Sequence, residues 1–404
     1  MNFSKSRLGV WTIWIVASLF YAYQYVLRVM PNVMLNDILE KFQIDTTTFG
    51  QFSGVYYLGY SLMHLPVGVM LDRYGPRKVM SGCMLLTVLG LLPLAVTNHW
   101  LFSILGRFMI GLGSSAAILG VFKIIRMTFK EERFPRMLSF SVMIGLVGAI
   151  YGGGPVDYML KTFGYDTVIY VFAALGALLT LTTYWIIPNT KPTITSTVFS
   201  NVIEVLKTPQ VLLGCLFAGL MVAPLEGFAD VWATAFLKNV CGLDGNLSAS
   251  LPSIIFIGMC FGSPLLSFIG DKVGNYLGTV VGAGIAMAVS FILLLASPQS
   301  HLSISLNFVV VGIACAYQIL AIYKISTYVR EQIAGLTTAI ANMIIMVFGY
   351  VFHTIMGKVI DQTGGASSPD AVVYGISVIP VALCIGTVGY LFMMFHERRA
   401  AKTA

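Results

Sequence analysis

The chain has 404 residues, of which 57% are hydrophobic and only 10% charged. Soluble proteins carry about 25% charged residues, so a water-soluble globular fold is excluded and an integral membrane protein is expected. The formal net charge of +7 is dispersed over many short loops, which sets orientation in a membrane and argues against a nucleic-acid partner.

A helix needs roughly 20 apolar residues to cross the hydrocarbon of a bilayer. About twelve such runs are predicted, beginning near Leu8, Phe49, Val79, Leu101, Met137, Thr167, Pro209, Leu251, Leu277, Leu302, Leu336 and Ala371. The first is too long for the apolar core of a cleavable signal and is expected to stay as a span. Connections are short except 189–208, a Thr/Ser/Pro-containing stretch that reads as a cytoplasmic linker between an N-terminal half, 1–188, and a C-terminal half, 209–404. Lys5, Arg73, Arg77, Lys78, Lys123, Arg126, Lys130, Arg133, Arg136, Lys191, Lys272, Lys324 and Arg330 gather in alternate loops, with Arg398 and Arg399 near the end. The opposite loops offer only Lys41, Lys161, Lys238 and Lys358. That asymmetry places both termini in the cytoplasm. The cysteines lie almost all inside apolar runs without a CxxC pair, so neither a disulfide framework nor a zinc site is expected, and no cofactor.

The halves resemble each other. "GVMLDRYG", Gly68–Gly75, recurs as "SFIGDKVG", Ser267–Gly274, which aligns Asp72 with Asp271, Arg73 with Lys272 and Gly75 with Gly274. Gly145, Gly153 and Asp157 fall in register with Gly349, Gly357 and Asp361. Parallel repeats of this kind place a substrate site between the halves, near the bilayer midplane.

"GVMLDRYGPRK", Gly68–Lys78, resembles the loop motif of the major facilitator superfamily, G-x-x-x-D-[RK]-x-G-x-[RK]-[RK]. Gly68, Asp72, Arg73, Gly75, Arg77 and Lys78 fill its positions. The resemblance extends over essentially the whole chain. It implies an all-α membrane protein of twelve transmembrane helices in two pseudo-symmetric six-helix bundles, with alternating access as its mode of action. It also implies that Asp72, Arg73, Arg77, Asp271 and Lys272 gate the cytoplasmic side. The glycines suit a tight turn, and Asp72 is expected to face the N-terminus of a neighbouring helix. "GRFMIGLG", Gly106–Gly113, is similar to the family's fourth-helix pattern R-x-x-x-G-x-G. Arg107 then lies within the membrane, where a charge must be paired or wet. It is either a structural partner for polar groups of the first helices or part of the substrate path. "GLVGAIYGGGP", Gly145–Pro155, matches only part of the glycine pattern of drug/proton antiporters, and close helix packing is the plainer role for its small residues.

In the first span Tyr21, Gln24, Tyr25 and Arg28 share one helix face. Pro31 cannot donate to the Leu27 carbonyl, so a kink is expected just beyond Arg28. With the helix continuing to about Leu39, Arg28 lies near mid-depth in a wet cavity. The corresponding seventh span places Glu226 opposite Tyr25 and Asp230 beside Arg28. Two acids at i, i+4 repel when both are ionised. Either they take up a proton or cation, or they form a structural set neutralised by Arg28, Arg107 or Lys324. The segment from Tyr25 to Val79 is similar to the organic-anion/cation symporter branch, which includes sugar-acid and related carboxylate importers. In that branch a first-helix arginine meets the substrate's carboxylate, which implies that role for Arg28. Leu27 stands where an acid commonly precedes that arginine, and Ser114 and Ser115 stand where a fourth-helix acid is expected. Glu226 and Asp230 are the substitutes for proton coupling. Tyr317, Gln318 and Asn342 add hydrogen-bonding capacity, and His64 and His353 are further titratable groups within spans. Lys123 and Lys324 close the cytoplasmic ends of their helices.

The chain carries no HExxH, GxSxG or clustered His/Asp set, so an enzyme is not expected. The reading is a secondary active transporter for a small carboxylate-bearing solute (organic anion, amino acid or short peptide), with proton-coupled import. The alternatives are a proton-antiport exporter, a facilitative uniporter and a solute sensor. The expected partners are that solute, protons and the lipid bilayer, for a monomer in a bacterial inner membrane.

Overall fold

The computed structural model describes residues 7–130, 133–188, 198–296 and 300–403; Lys5, Lys191 and 189–197 of the predicted linker lie outside the described residues. All regular structure within them is helical. The first helices are α1 (Arg7–Val29), α2 (Leu35–Phe42), α3 (Thr46–Tyr74) and α4 (Pro76–Val96). The fourth span is made of α5 (Trp100–Ser114) and α6 (Ala116–Thr128), the fifth of α7 (Phe134–Tyr151) and α8 (Gly154–Phe163), and α9 (Tyr165–Ile186) follows. After α10 (Val198–Leu206) the seventh span runs through α11 (Pro209–Leu220), a π-helix (Ala223–Trp232) and α12 (Ala233–Asn239). The chain continues as α13 (Gly245–Ser250), α14 (Ser253–Val273), α15 (Tyr276–Ala296), α16 (His301–Cys315), α17 (Tyr317–Ser326), α18 (Ala334–Gln362) and α19 (Pro369–Thr403).

Among the described residues, 11 helical segments are long and apolar enough to cross a membrane. The expected span near Phe49 is α3, which is not among them. Its 29 residues reach about 44 Å at 1.5 Å each, ample for a bilayer. Its mean apolarity is diluted by Ser53, Tyr56, Tyr57, Ser61 and His64, all of them buried, whereas Leu62 and Val69 are exposed. A membrane helix with polar groups turned inward and leucine turned outward suits a hydrocarbon solvent.

The chain divides into two compact units. The first comprises Met1–Ile44 with Phe52–Ser196, and the second Asp45–Gln51 with Thr197–Ala404. The first turns of α3 and all of α10 therefore group with the second unit, although α10 occupies the end of the predicted linker.

Small residues set the helix spacing inside each unit. A Cβ on Gly111 would stand 2.1 Å from the Tyr56 carbonyl oxygen, and one on Gly59 2.5 Å from that of Phe108, so α3 and α5 cross backbone to backbone. Their repeat partners do the same in the second unit, where a Cβ on Gly312 of α16 would lie 2.9 Å from the Cα of Gly258 of α14. Gly145 and Gly148 likewise let α7 press against Tyr21 and Ala22 of α1, the packing use expected of small residues in membranes. Of the loop-motif glycines, Gly75 (φ 82°) and its repeat Gly274 (φ 64°) make the turns. Gly68 lies inside α3 with open space around it, so the expected turn role does not extend to it.

The first helix does not run on to Leu39. It ends at Val29, followed by a 3₁₀ turn at Met30–Asn32 and then the separate helix α2. Pro31 has no N–H for the Leu27 carbonyl and its ring crowds that group. The chain therefore breaks at the turn that follows Arg28.

Candidate functional site

Arg28 projects from the last turn of α1 and is 7% exposed. Its guanidinium carbon lies 4.9 Å from the Tyr25 ring centre and 5.2 Å from that of Tyr57 on α3. This is a cation held between two aromatic rings, an arrangement that strengthens as water is removed. The Tyr21 and Tyr25 rings meet edge to face at 5.1 Å. The Tyr56 hydroxyl donates to Gln24 Oε1 at 2.6 Å. The structure thus brings Tyr21, Gln24, Tyr25 and Arg28 together, and adds Tyr56 and Tyr57. Those two tyrosines, with Tyr60 and His64, repeat in α3 the helical spacing of polar aromatics that marks α1, so the same rule finds them.

Arg107 of α5 is 1% exposed. Its Nη1 donates to the Leu27 carbonyl at 2.5 Å and its Nη2 to the Arg28 carbonyl at 2.9 Å. Its guanidinium also lies 4.9 Å from the Tyr56 ring centre. Leu27 carries the carbonyl that Pro31 leaves without its helical donor. A buried carbonyl needs a partner, and the negative end of a helix attracts a cation; Arg107 meets both requirements. These bonds are the ones a structural partner of the first helix makes, and they hold the turn from which Arg28 projects.

In the second unit Glu226 and Asp230 lie on the π-helix Ala223–Trp232, all of whose residues are buried. The expectation of an ordinary α-helix is corrected here, with Pro224 at its start removing one backbone donor. Stretches of π-helix recur at functional sites. Tyr317, expected to hydrogen-bond within a cavity, donates its hydroxyl proton to the Ala218 carbonyl at 2.7 Å and so pins α17 to α11. Gln318 is buried next to it in sequence, whereas Asn342 on α18 is half-buried.

At the cytoplasmic motif, Asp72 pairs with Lys123 of α6 at 2.7 Å. Arg73 lies over the Tyr74 ring at 5.5 Å. The Arg77 Nε donates to the Ile187 carbonyl at 2.7 Å. In the second unit Asp271 accepts from the Tyr276 hydroxyl at 2.5 Å, and Lys272 lies 5.9 Å from the Phe268 ring centre. Lys324, the repeat of Lys123, pairs with Glu397 at 3.0 Å. Partly exposed pairs of this kind contribute at most about 1 kcal/mol, so they orient the helix ends more than they stabilise them.

Buried charge inside polar-lined helical units defines the class, a helical membrane protein that handles a solute. The sequence profile of the Major Facilitator Superfamily matches residues 13–353, and the chain belongs to that family. It is an integral membrane transporter of a solute. NicT of Pseudomonas putida, a protein named for metabolite transport, is 26% identical over 178 residues, covering 42% of this chain and 40% of NicT. The chain therefore spans less than half the length of that curated relative. YybO of Bacillus subtilis, an uncharacterized transporter, is 23% identical over 430 aligned residues, covering 96% of this chain and 95% of YybO. The fold is shared with an inward-facing, occupied bacterial homolog of the human lysosomal transporter Spinster (TM-score 0.76, 17% identity, 96% of this chain and 97% of that one). It is also shared with the nucleoside transporter NupG (TM-score 0.78, 15% identity, 94% and 99%). At such identities the likeness concerns architecture, and function has to be argued from the site.

Proposed function

We propose that the protein imports a small carboxylate-bearing solute (an organic anion, an amino acid or a short peptide) by proton-coupled alternating access. The observation that carries this reading is Arg28, a guanidinium nine-tenths buried within a membrane span and cradled by Tyr25 and Tyr57. A charge buried inside a membrane protein near the end of a span marks a substrate or ion path, and a planar guanidinium matches a carboxylate with two parallel hydrogen bonds. The similarity to the organic-anion/cation symporter branch supports the same role. Glu226 and Asp230, two acids buried on one π-helix, support a coupling role, because ionisable groups inside a span mark ion and proton paths. They also supply the counter-charge if the solute carries an amine. Asp72, Arg73, Arg77, Asp271 and Lys272 are the proposed cytoplasmic gate. The loop charges favour cytoplasmic termini, a monomer in a bacterial inner membrane being the simplest assembly.

The test is counterflow in proteoliposomes, in which a carrier exchanges labelled for unlabelled solute and a sensor does not. A panel of amino acids, short peptides and organic acids is first screened by thermal shift on the purified protein. Arg28→Ala should fold and lose exchange of the carboxylates that shift the wild type. Undiminished exchange by that variant would take Arg28 out of the site.

A further inference from the structure

Where α6 ends and α7 begins, four cations stand exposed: Arg126, Lys130, Arg133 and Arg136. Among the described residues, no carboxylate lies within ion-pair distance of any of them. Glu131 and Glu132 of the same loop lie outside the described residues, and four cations against two acids leave the segment positive. Loop cations elsewhere are held by the protein itself. Lys123 pairs with Asp72 and Lys324 with Glu397. In the repeat-related loop of the second unit, Arg330 grips both carboxylate oxygens of Glu204 at 2.8 and 2.9 Å. Arg126 and Arg136 rest on rings instead, 5.3 Å from the Phe134 centre and 5.7 Å from that of Phe140. Trp11 of α1 meets Phe129, which ends α6, edge to face at 5.6 Å, and tryptophan favours the headgroup level of a bilayer. Arg136 also heads a stripe. Positions 136, 140, 143, 147 and 151 share one face of α7, and Phe140, Met143, Val147 and Tyr151 are all exposed. The opposite face is buried against α1, with Ser141 accepting from Trp14 Nε1 and Gly148 pressed on the Ala22 carbonyl. From Phe140 to Tyr151 the stripe runs about 16 Å at 1.5 Å per residue, close to half of the roughly 30 Å hydrocarbon core.

We propose that this face of the first unit binds an anionic phospholipid. Arg126 and Arg136 hold its phosphate, Lys130 and Arg133 add charge, and one acyl chain lies along α7 from Phe140 to Tyr151. Cations at one end of an apolar strip one leaflet deep match a phosphate followed by a hydrocarbon chain. Arginine forks suit phosphate oxygens, and cations beside a span attract anionic headgroups. Arg126 reaches this place by lying on Phe134, in the first turn of the helix that carries Arg136. The site is independent of Arg28 and of the solute, so it stands or falls apart from the transport reading.

The experiment titrates the detergent-solubilised full-length protein with phosphatidylglycerol and with phosphatidylcholine of the same acyl chains, and counts bound lipids by native mass spectrometry. Glycerol 3-phosphate serves as the headgroup without chains. The wild type is expected to bind the first phosphatidylglycerol at least about tenfold tighter than phosphatidylcholine, and glycerol 3-phosphate at equal concentration should not displace it. A cation near the membrane surface is worth about fivefold in anionic-lipid binding. Arg136→Gln should therefore weaken phosphatidylglycerol about fivefold, and Arg126→Gln with Arg136→Gln about 25-fold, with phosphatidylcholine unchanged. Val147→Asn, which interrupts the stripe, should weaken both lipids. Arg330→Gln, whose cation Glu204 already holds, should keep the full preference. These positions are exposed, so melting without added lipid should match the wild type for the Arg126 and Arg136 variants. Equal affinity of the wild type for the two lipids, or a preference that survives the double substitution, would overturn the proposal. Full displacement by glycerol 3-phosphate would make this a site for a free phosphate, and a dimer that excludes phosphatidylglycerol would give the face to a second copy; either result sinks the lipid reading.

Discussion

Arg107→Met removes both donors to the end of α1 while nearly conserving side-chain volume, so packing contributes little to the change. Two carbonyls, those of Leu27 and Arg28, lose partners now at 2.5 and 2.9 Å. A buried polar group left unpaired costs about 1–3 kcal/mol, which gives about 2–6 kcal/mol for the pair. Deleting the buried guanidinium also relieves its own desolvation, so the net loss belongs in the lower half of that range. The functional effect should be larger than the stability effect suggests. The freed turn carries Arg28, and small misplacements of a binding group cost heavily. Differential scanning fluorimetry of the purified protein and the concentration dependence of uptake in liposomes read the two effects. Arg107→Lys keeps the charge but replaces a fork by a single point donor, so it should recover part of the stability and little of the substrate affinity. A wild-type melting temperature for Arg107→Met would refute the capping role. Full stability of Arg107→Lys with altered substrate affinity alone would instead place Arg107 directly on the solute.

The remaining predictions are independent of that pair. Gly111→Ala forces a Cβ to 2.1 Å from the Tyr56 carbonyl and should cost about 1–3 kcal/mol or more. Gly68→Ala, with open space around the added methyl group, should be neutral or gain up to about 1 kcal/mol of helix propensity; equal melting temperatures for the two variants would contradict the crossing. Glu226→Gln or Asp230→Asn should remove the pH dependence of solute accumulation while sparing exchange, and an unaltered pH profile would dismiss the acids as the coupling element. Asp72→Asn, in a half-exposed pair with Lys123, should shift stability by less than about 1 kcal/mol and slow cycling, whereas a changed solute preference would count against a gate. Burial holds the Cys241 thiol up at about 11, so it stays protonated at neutral pH and its thiolate fraction climbs only as pH approaches that value. An impermeant maleimide added outside intact cells should label Cys241 at a rate rising about tenfold per pH unit from 7 to 9; labelling only from the inside would reverse the proposed orientation.

The spans were legible because apolar runs of sufficient length have no alternative to crossing a bilayer. The face of α1 that carries Tyr21, Gln24, Tyr25 and Arg28 was legible from helical spacing alone, and α3 obeys the same rule. What followed Pro31 was not. A proline can kink a helix or end it, and the partner that accepts the broken end, Arg107, is 80 positions away in the chain. The π-helix was equally hidden, since it differs from an α-helix only in which carbonyl each N–H meets, and burial on all sides decides that choice. The fate of the Tyr317 hydroxyl depends on where α11 runs, which no local pattern around position 317 states.

The two halves keep one scaffold and divide the chemistry. The crossing of α3 on α5 at Gly59 and Gly111 recurs as α14 on α16 at Gly258 and Gly312, so the backbone geometry is shared. In that register the position of Arg107 is taken by Phe308, whose ring packs 5.8 Å from Phe228, a phenyl cluster in place of a capped helix end. Lys123 binds the motif acid Asp72, whereas Lys324 binds Glu397 and leaves Asp271 to Tyr276. Buried guanidinium groups therefore belong to the first unit and buried carboxylates to the seventh span of the second. On the proposed reading, solute and proton then have separate sites, and their coupling is a free energy that acts equally in both directions. Protonating the acids should tighten solute binding by the same factor by which bound solute raises proton affinity. Paired measurements of solute affinity against pH and of proton uptake on solute addition read that factor from both sides, and an affinity independent of pH with no proton uptake on solute addition would show that the acids and the carboxylate anchor are not linked.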